Sequence, residues 1–194
     1  MRHKGLNFRQ KKKKKINLNT VKVLLGYLFW AAVASFIALV LMNAFGFRTN
    51  VIGNSMEPEL YSGQQILIDR MSYVVIEPKQ GDVIAFLPNG NEKSHYYVKR
   101  IVAVPGDTIR ISDGRILVNG APIETDVSYD KVEEAGIASV EIKLSDEEYF
   151  VLGDNINSSE DSRSGNIGKV KKEYILGKVW FRLSKDIQYM GLVR

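Results

Sequence analysis

The chain begins polar and lysine-rich, then runs from Val23 to Phe47, 25 residues, without a single charge. Leu24, Leu25, Leu28, Phe29, Trp30, Phe36, Ile37, Leu39, Val40 and Leu41 fill that run. About 20 apolar helical residues, rising 1.5 Å each, cross a hydrocarbon core of about 30 Å. The pattern therefore predicts a transmembrane helix over 23–47. Beyond Asn50 the period changes. Short apolar runs appear at Gln65–Ile68, Asp82–Leu87, His95–Val104, Thr108–Ile111, Arg115–Val118, Glu148–Leu152 and Ile175–Leu183. Gly, Pro, Asn and Asp punctuate them, which is the signature of strands joined by tight turns. Ser112-Asp113-Gly114 marks a hairpin, and Asn119-Gly120 marks a second turn. The expected fold is mainly β: an N-terminal transmembrane helix, then an antiparallel β-sheet domain over 48–194, sandwich-like or barrel-like. Residues 110–147 read as a small accessory excursion, because 124–147 is polar and mixed.

Charge sharpens the division. Residues 1–22 hold nine Lys or Arg and no acid, which leaves 18 basic residues against 22 acidic, a net of −4, for the rest. The basicity is a local tail on a mildly acidic body. Lys11 to Lys15 stand just before the apolar run. The positive-inside rule puts this tail in the cytoplasm and residues 48–194 outside the cell membrane. The lysines also suit anionic lipid headgroups of the bilayer. A nucleic-acid or nuclear-localisation patch is the alternative for such a tract. The neighbouring span already explains it, so no nucleic-acid partner is expected. A cleaved signal sequence is the alternative for the apolar run, with Ala44-Phe45-Gly46 as a small-x-small cut, but its apolar middle would be 7–15 residues.

Composition removes several chemistries. There is no cysteine and there are two histidines, His3 and His95. A thiolate nucleophile, a disulfide framework and a cysteine-ligated metal are excluded, and a zinc hydrolase is disfavoured. A serine nucleophile is then expected to draw on lysine as its base. Ser55 lies in Gly53-Asn54-Ser55-Met56-Glu57-Pro58, eight residues past the apolar run. By itself a serine after Gly-Asn is a turn residue. Lys99 lies in Tyr97-Val98-Lys99-Arg100-Ile101-Val102-Ala103-Val104. Period two puts Tyr97, Lys99, Ile101 and Ala103 on one face. A lysine buried there would lose proton affinity and could take the proton of a serine. A lysine reaching solvent at a sheet edge is the alternative. Gly153 to Arg163 packs glycine, acids, amides, hydroxyls and an arginine into eleven residues. It reads as a polar loop or as a hydrogen-bonded support for a lysine amine.

Together these segments resemble the type I signal peptidases, the bacterial leader peptidases, in their compact Gram-positive form. That family shows Ser-Met-x-Pro soon after a membrane anchor, then Gly-Asp-Val, a Lys-Arg strand leading into Pro-Gly-Asp, and Gly-Asp-Asn-x-x-x-Ser-x-Asp-Ser-Arg. Here Ser55-Met56-Glu57-Pro58, Gly81-Asp82-Val83, Lys99-Arg100 with Pro105-Gly106-Asp107, and Gly153 to Arg163 occur in that order. The resemblance implies Ser55 as nucleophile and Lys99 as general base. It implies that Ser159 hydrogen-bonds the lysine amine, that Asp161 and Arg163 hold the site together, and that the Ser55 N–H is one oxyanion donor. The implied substrates are secretory preproteins, cut after a small-x-small site, with no metal or other cofactor. Ile52, Gly53, Asn54, Tyr97 and Val98 are the expected walls for substrate, and apolar loops near Met56 are expected to dip into the membrane.

Two positions depart from the family pattern. Gly53 stands where some members carry a serine whose hydroxyl is a second oxyanion donor. Glu59 stands where threonine is common after the proline. Other readings keep some support. His95 shares the strand face of Lys99 and is the alternative base. Ser128-Tyr129-Asp130-Lys131 has Ser-x-x-Lys spacing without the companion motifs of penicillin-binding hydrolases. Gly165 to Val170 only faintly resembles a phosphate loop. A membrane-tethered binding module without catalysis is the reading from a different class. Self-cleaving repressors share the serine–lysine logic but carry a DNA-binding domain where this chain has its apolar run.

Overall fold

A computed structural model of the chain describes residues 18–184 and 189–193. The Lys11–Lys15 tract lies outside the described residues. Helix α1 spans Leu18–Phe45. Its Leu18–Asn43 part is long and apolar enough to cross a membrane, and none of it is buried in the protein. The helix begins earlier than the uncharged run, because Lys22 is a good helix former that fits within its first turns. It ends earlier too. The Gly46 N–H bonds the Met42 carbonyl at 2.9 Å, and Phe47 already belongs to a strand.

Residues 41–194 form one compact unit. Its main sheet contains β1 (Phe47–Asn50), β2 (Gln65–Asp69), β3 (Val83–Phe86), β4 (Tyr97–Ala103), β9 (Glu148–Leu152), β10 (Val170–Lys171), β11 (Ile175–Leu183) and β12 (Gly191–Leu192). Their order is β1-β2-β11-β3-β4-β9-β10, with β12 also on β11. A second sheet has the order β7-β6-β5-β8, from β5 (Thr108–Ser112), β6 (Arg115–Val118), β7 (Ala121–Pro122) and β8 (Ile142–Lys143). Every ladder among the described residues is antiparallel. The expected hairpin joins β5 to β6, and Asp113 and Gly114 take the positive φ of 54° and 74° that its two-residue turn requires.

Three apolar clusters hold the unit together. Val83 and Ala85 of β3 join Val51, Met56, Leu60, Ile66, Ile68, Val98 and Val179 on one side. Ile84 and Phe86 join Ile101, Tyr149, Val151 and Val170 on the other. An apolar run with no polar alternation is what a strand buried on both faces requires. The third cluster packs Ile109, Ile111 and Ile116 of the small sheet against Val102, Ala103, Phe150, Leu152 and Ile156. The pairing of β4 with β9 shifts register between Ile101 and Ala103. This bulge breaks the expected face: Tyr97 and Ile101 serve one cluster while Val102 and Ala103 both serve another.

Candidate active site

Ser55 follows β1 in a turn-rich segment that Met56 and Leu60, both fully buried, pin to the core. Met56 therefore packs inward, while nearby Ile52 is exposed. Asn155 ties the segment to the Gly153–Arg163 loop. Its N–H donates to the Ser55 carbonyl at 3.0 Å, and its Nδ2 donates to the Asn54 carbonyl at 3.2 Å.

Lys99 sits in β4 between β3 and β9, not at an edge, and is only 5% exposed. Its Nζ lies 2.5 Å from Ser55 Oγ. Burial lowers the amine pKa from the ordinary lysine value to about 8, against the opposing pull of Asp161, Glu160 and Asp154. His95 lines the same cleft, but the serine hydroxyl is engaged by Lys99. The cleft, about 300 Å³, is also lined by Ile52, Gly53, Asn54, Tyr97 and Val98, all five of the expected substrate residues.

Ser159 is brought to the same place by the loop after β9. Its Oγ is buried and has no hydrogen-bond partner among the described residues. The bond to the lysine amine that the resemblance implies is not formed here; the amine turns to Ser55 instead. Asp161 and Arg163 do pair. Arg163 Nε donates to Asp161 Oδ1 at 2.8 Å, and Nη2 donates to Oδ2 at 3.0 Å. Asp161 also accepts the Gly153 N–H at 3.2 Å, and Arg163 Nη1 donates to the Glu134 carbonyl at 3.1 Å. The pair thus closes the loop on itself.

Sequence reading missed three contributors. Arg100 is buried, and its Nε and Nη2 donate to the two carboxylate oxygens of Asp154 at 2.8 and 2.6 Å. Removing one partner from so buried a pair costs about 3–5 kcal/mol. The adjacency of Arg100 to Lys99 and of Asp154 to Gly153 was the available signal. Second, Gly153 leaves room where a Cβ would strike Ser159 Oγ and the Ser55 carbonyl. Third, residues 131–137, within the 110–147 segment, brace the site. Asn157 bonds Lys131 and Glu133, and Ile137 N–H donates to the Arg163 carbonyl at 3.0 Å. The departing Glu59 pairs with Arg182 at 2.7 Å, so its charge is answered.

The family model described as "Signal peptidase, peptidase S26" matches residues 24–184. The chain belongs to this family. It is 31% identical to a signal peptidase I of Bacillus licheniformis, over 78% of this chain and 84% of that protein. It is 35% identical to a signal peptidase I P of Bacillus subtilis subsp. natto, over 76% and 82%. It is 30% identical to a signal peptidase I T of Bacillus subtilis strain 168, over 90% of each. A crystal structure of a signal peptidase I from Enterococcus faecalis has 27% identity and a TM-score of 0.41, covering 54% of this chain and 98% of that one. The chain is thus a peptidase of the signal peptidase I type, a serine hydrolase.

Proposed function

We propose that this signal peptidase removes signal peptides from secreted preproteins with Ser55 as nucleophile and Lys99 as general base. One observation carries the reading: a buried lysine amine, its pKa lowered to about 8, within hydrogen-bond reach of a serine hydroxyl in a cleft. The preprotein lies extended between residues 51–54 and 95–99, main chain to main chain. Small pockets there take small side chains at the first and third positions before the cut.

Neutral Lys99 accepts the Ser55 proton as Oγ bonds the scissile carbonyl carbon. The Ser55 N–H, which donates to no acceptor among the described residues, faces the oxyanion. The protonated amine then gives its proton to the leaving nitrogen as the amide C–N bond breaks. Water attacks the ester and loses a proton to the same amine, which passes it to Ser55 Oγ as the ester C–O bond breaks and frees the serine. Ser159 Oγ, buried and unpartnered among the described residues, takes a remaining amine hydrogen and fixes its direction. Asp161 with Arg163 and Asp154 with Arg100 hold the surrounding loop.

The N-terminal tail lies in the cytoplasm and the catalytic unit outside, anchored by α1. A short helix, α2 (Ser72–Val75), follows β2 and is held by Asp69, whose Oδ1 accepts the Met71 and Ser72 N–H groups at 2.9 and 3.0 Å. Val74 and Val75 are 73% and 86% exposed, with Met71 and Ile76 exposed beside them. Phe47 pairs with Ile68, so this apolar loop leaves β2 at the end of the sheet where the chain enters β1. Only Gly46 separates α1 from β1. We infer that Met71–Ile76 dips into the bilayer.

Cleavage of a preprotein in vesicles by the full chain, Ser55→Ala and Lys99→Ala tests the reading. Cleavage after a small-x-small site, lost in both variants, supports it. Activity that survives Lys99→Ala but needs His95 moves the base. Preprotein bound but never cut by the full chain favours a binding module.

A further inference from the structure

The cleft around Ser55 contains one carboxylate. Among its lining residues the acid, lysine and histidine side chains are Glu160, Lys99 and His95, and Lys99 carries no charge in the form proposed to react. Glu160 reaches the cleft because of the backbone before it. Ser159 is extended, with φ −126° and ψ 127°, and turns its hydroxyl inward against Gly153. In extended chain, neighbours of an inward residue point outward. Ser158 and Glu160 accordingly both line the cleft.

The Glu160 carboxylate is exposed, and no cation pairs with it among the described residues. It accepts one long bond, from Asn166 Nδ2 at 3.4 Å. The nearby acids are already answered: Asp154 by Arg100 and Asp161 by Arg163. The cleft wall therefore presents a carboxylate with no ion-pair partner among the described residues, and Lys99, the one lysine in the cleft, no longer offsets it once the amine is neutral. Position 160 is also an open position of the family motif, outside the residues to which the resemblance assigns a role.

We propose that Glu160 is a specificity determinant that favours preproteins carrying Lys or Arg close to the cut and disfavours Asp or Glu there. The inference rests on the peptidase reading above. In an extended substrate the side chains not seated in the small pockets alternate toward the walls. A half-exposed attraction changes affinity by up to about fivefold, and replacing it with repulsion widens the gap further. Salt shrinks the effect, because both partners touch solvent.

The experiment uses the full chain in detergent micelles and peptides with a fixed small-x-small site. Lys or Glu is placed, one at a time, at the second position before the cut or the first three after it. The measured quantity is the ratio of kcat/KM for the Lys and Glu peptides. The expected ratio at one or more positions is roughly threefold to tenfold, lower in high salt. Glu160→Gln brings it near one, and Glu160→Lys inverts it. Glu160 also raises the Lys99 pKa, so both variants shift the pH profile downward. That shift acts on both peptides alike and cancels in the ratio. Equal ratios in the parent chain and Glu160→Gln at every position overturn the proposal while leaving the peptidase reading intact. No cleavage of any peptide by the parent chain overturns both.

Discussion

Ser159 turns its hydroxyl onto Gly153 so closely that a Cβ at position 153 would overlap it, and would overlap the Ser55 carbonyl as well. One missing side chain thus sets the positions of the proposed nucleophile and of the hydroxyl proposed to steer its base. Gly153→Ala must push one or both aside. Displacements near 1 Å cost about 100-fold in rate. We expect kcat/KM on a preprotein to fall by about that factor, with the fold kept by circular dichroism. Near-parental activity would mean that the loop relaxes freely.

The base role proposed for Lys99 requires the neutral amine. With its pKa lowered to about 8, most of the free enzyme is protonated at pH 6. The value of kcat/KM should climb about tenfold per pH unit below 8 and level off above it. A profile flat from pH 5 to 9 would count against a lysine base.

The same shift bears on stability. A lysine whose pKa is lower in the folded chain than in the unfolded one costs stability wherever both forms are charged. That cost is full below about pH 8 and fades as pH rises toward the ordinary value of 10.5. The pKa difference corresponds to about 3 kcal/mol. Lys99→Met should therefore be inactive yet more stable than the parent at pH 6–7, by up to that amount. Denaturant melts across pH 6 to 11 should show the gap closing at the alkaline end. A gap independent of pH would separate the effect from ionisation.

The apolar loop around Val74 and Val75 gives a prediction about place rather than chemistry. Replacing both by Glu puts two charges where the exposed surface is apolar. Processing of a preprotein embedded in vesicles should fall at least tenfold, and by more than cleavage of a short soluble peptide. Equal losses on both substrates would show that the loop does not engage lipid.

Strands β2 to β6, β9 and β11 were legible within a residue or two, because apolar runs and turn residues both mark them. Strand β1 was not. Its Phe47 directly continues an apolar stretch, so hydropathy alone assigned it to the membrane, while pairing with Ile68 assigns it to the sheet. The four residues of α2 are too few for helical periodicity to show. The residues proposed as nucleophile and base, and their five wall residues, could be named from motifs and do converge in one cleft. Arg100 with Asp154 and the brace at 131–137 were not named, since both depend on contacts between distant segments, and Gly153 against Ser159 depends on how one loop folds back on itself. Strands within residues 110–147 belong to a small sheet separate from the main one, and polarity alone did not report that part of this segment touches the Gly153–Arg163 loop.

Lys99 and Arg100 are adjacent in β4, and the alternation of a strand sends them to opposite faces. One meets Ser55; the other is clamped by Asp154 and the Gly81 carbonyl. The β3–β4 ladder sets which is which, pairing Ile84 with Lys99 and Val83 with Arg100. A slip of one residue would exchange them. The serine would then face a guanidinium, which never gives up its proton. The proposed base therefore depends on strand alignment, and a molecule that closes its sheet out of phase would have no amine at the serine.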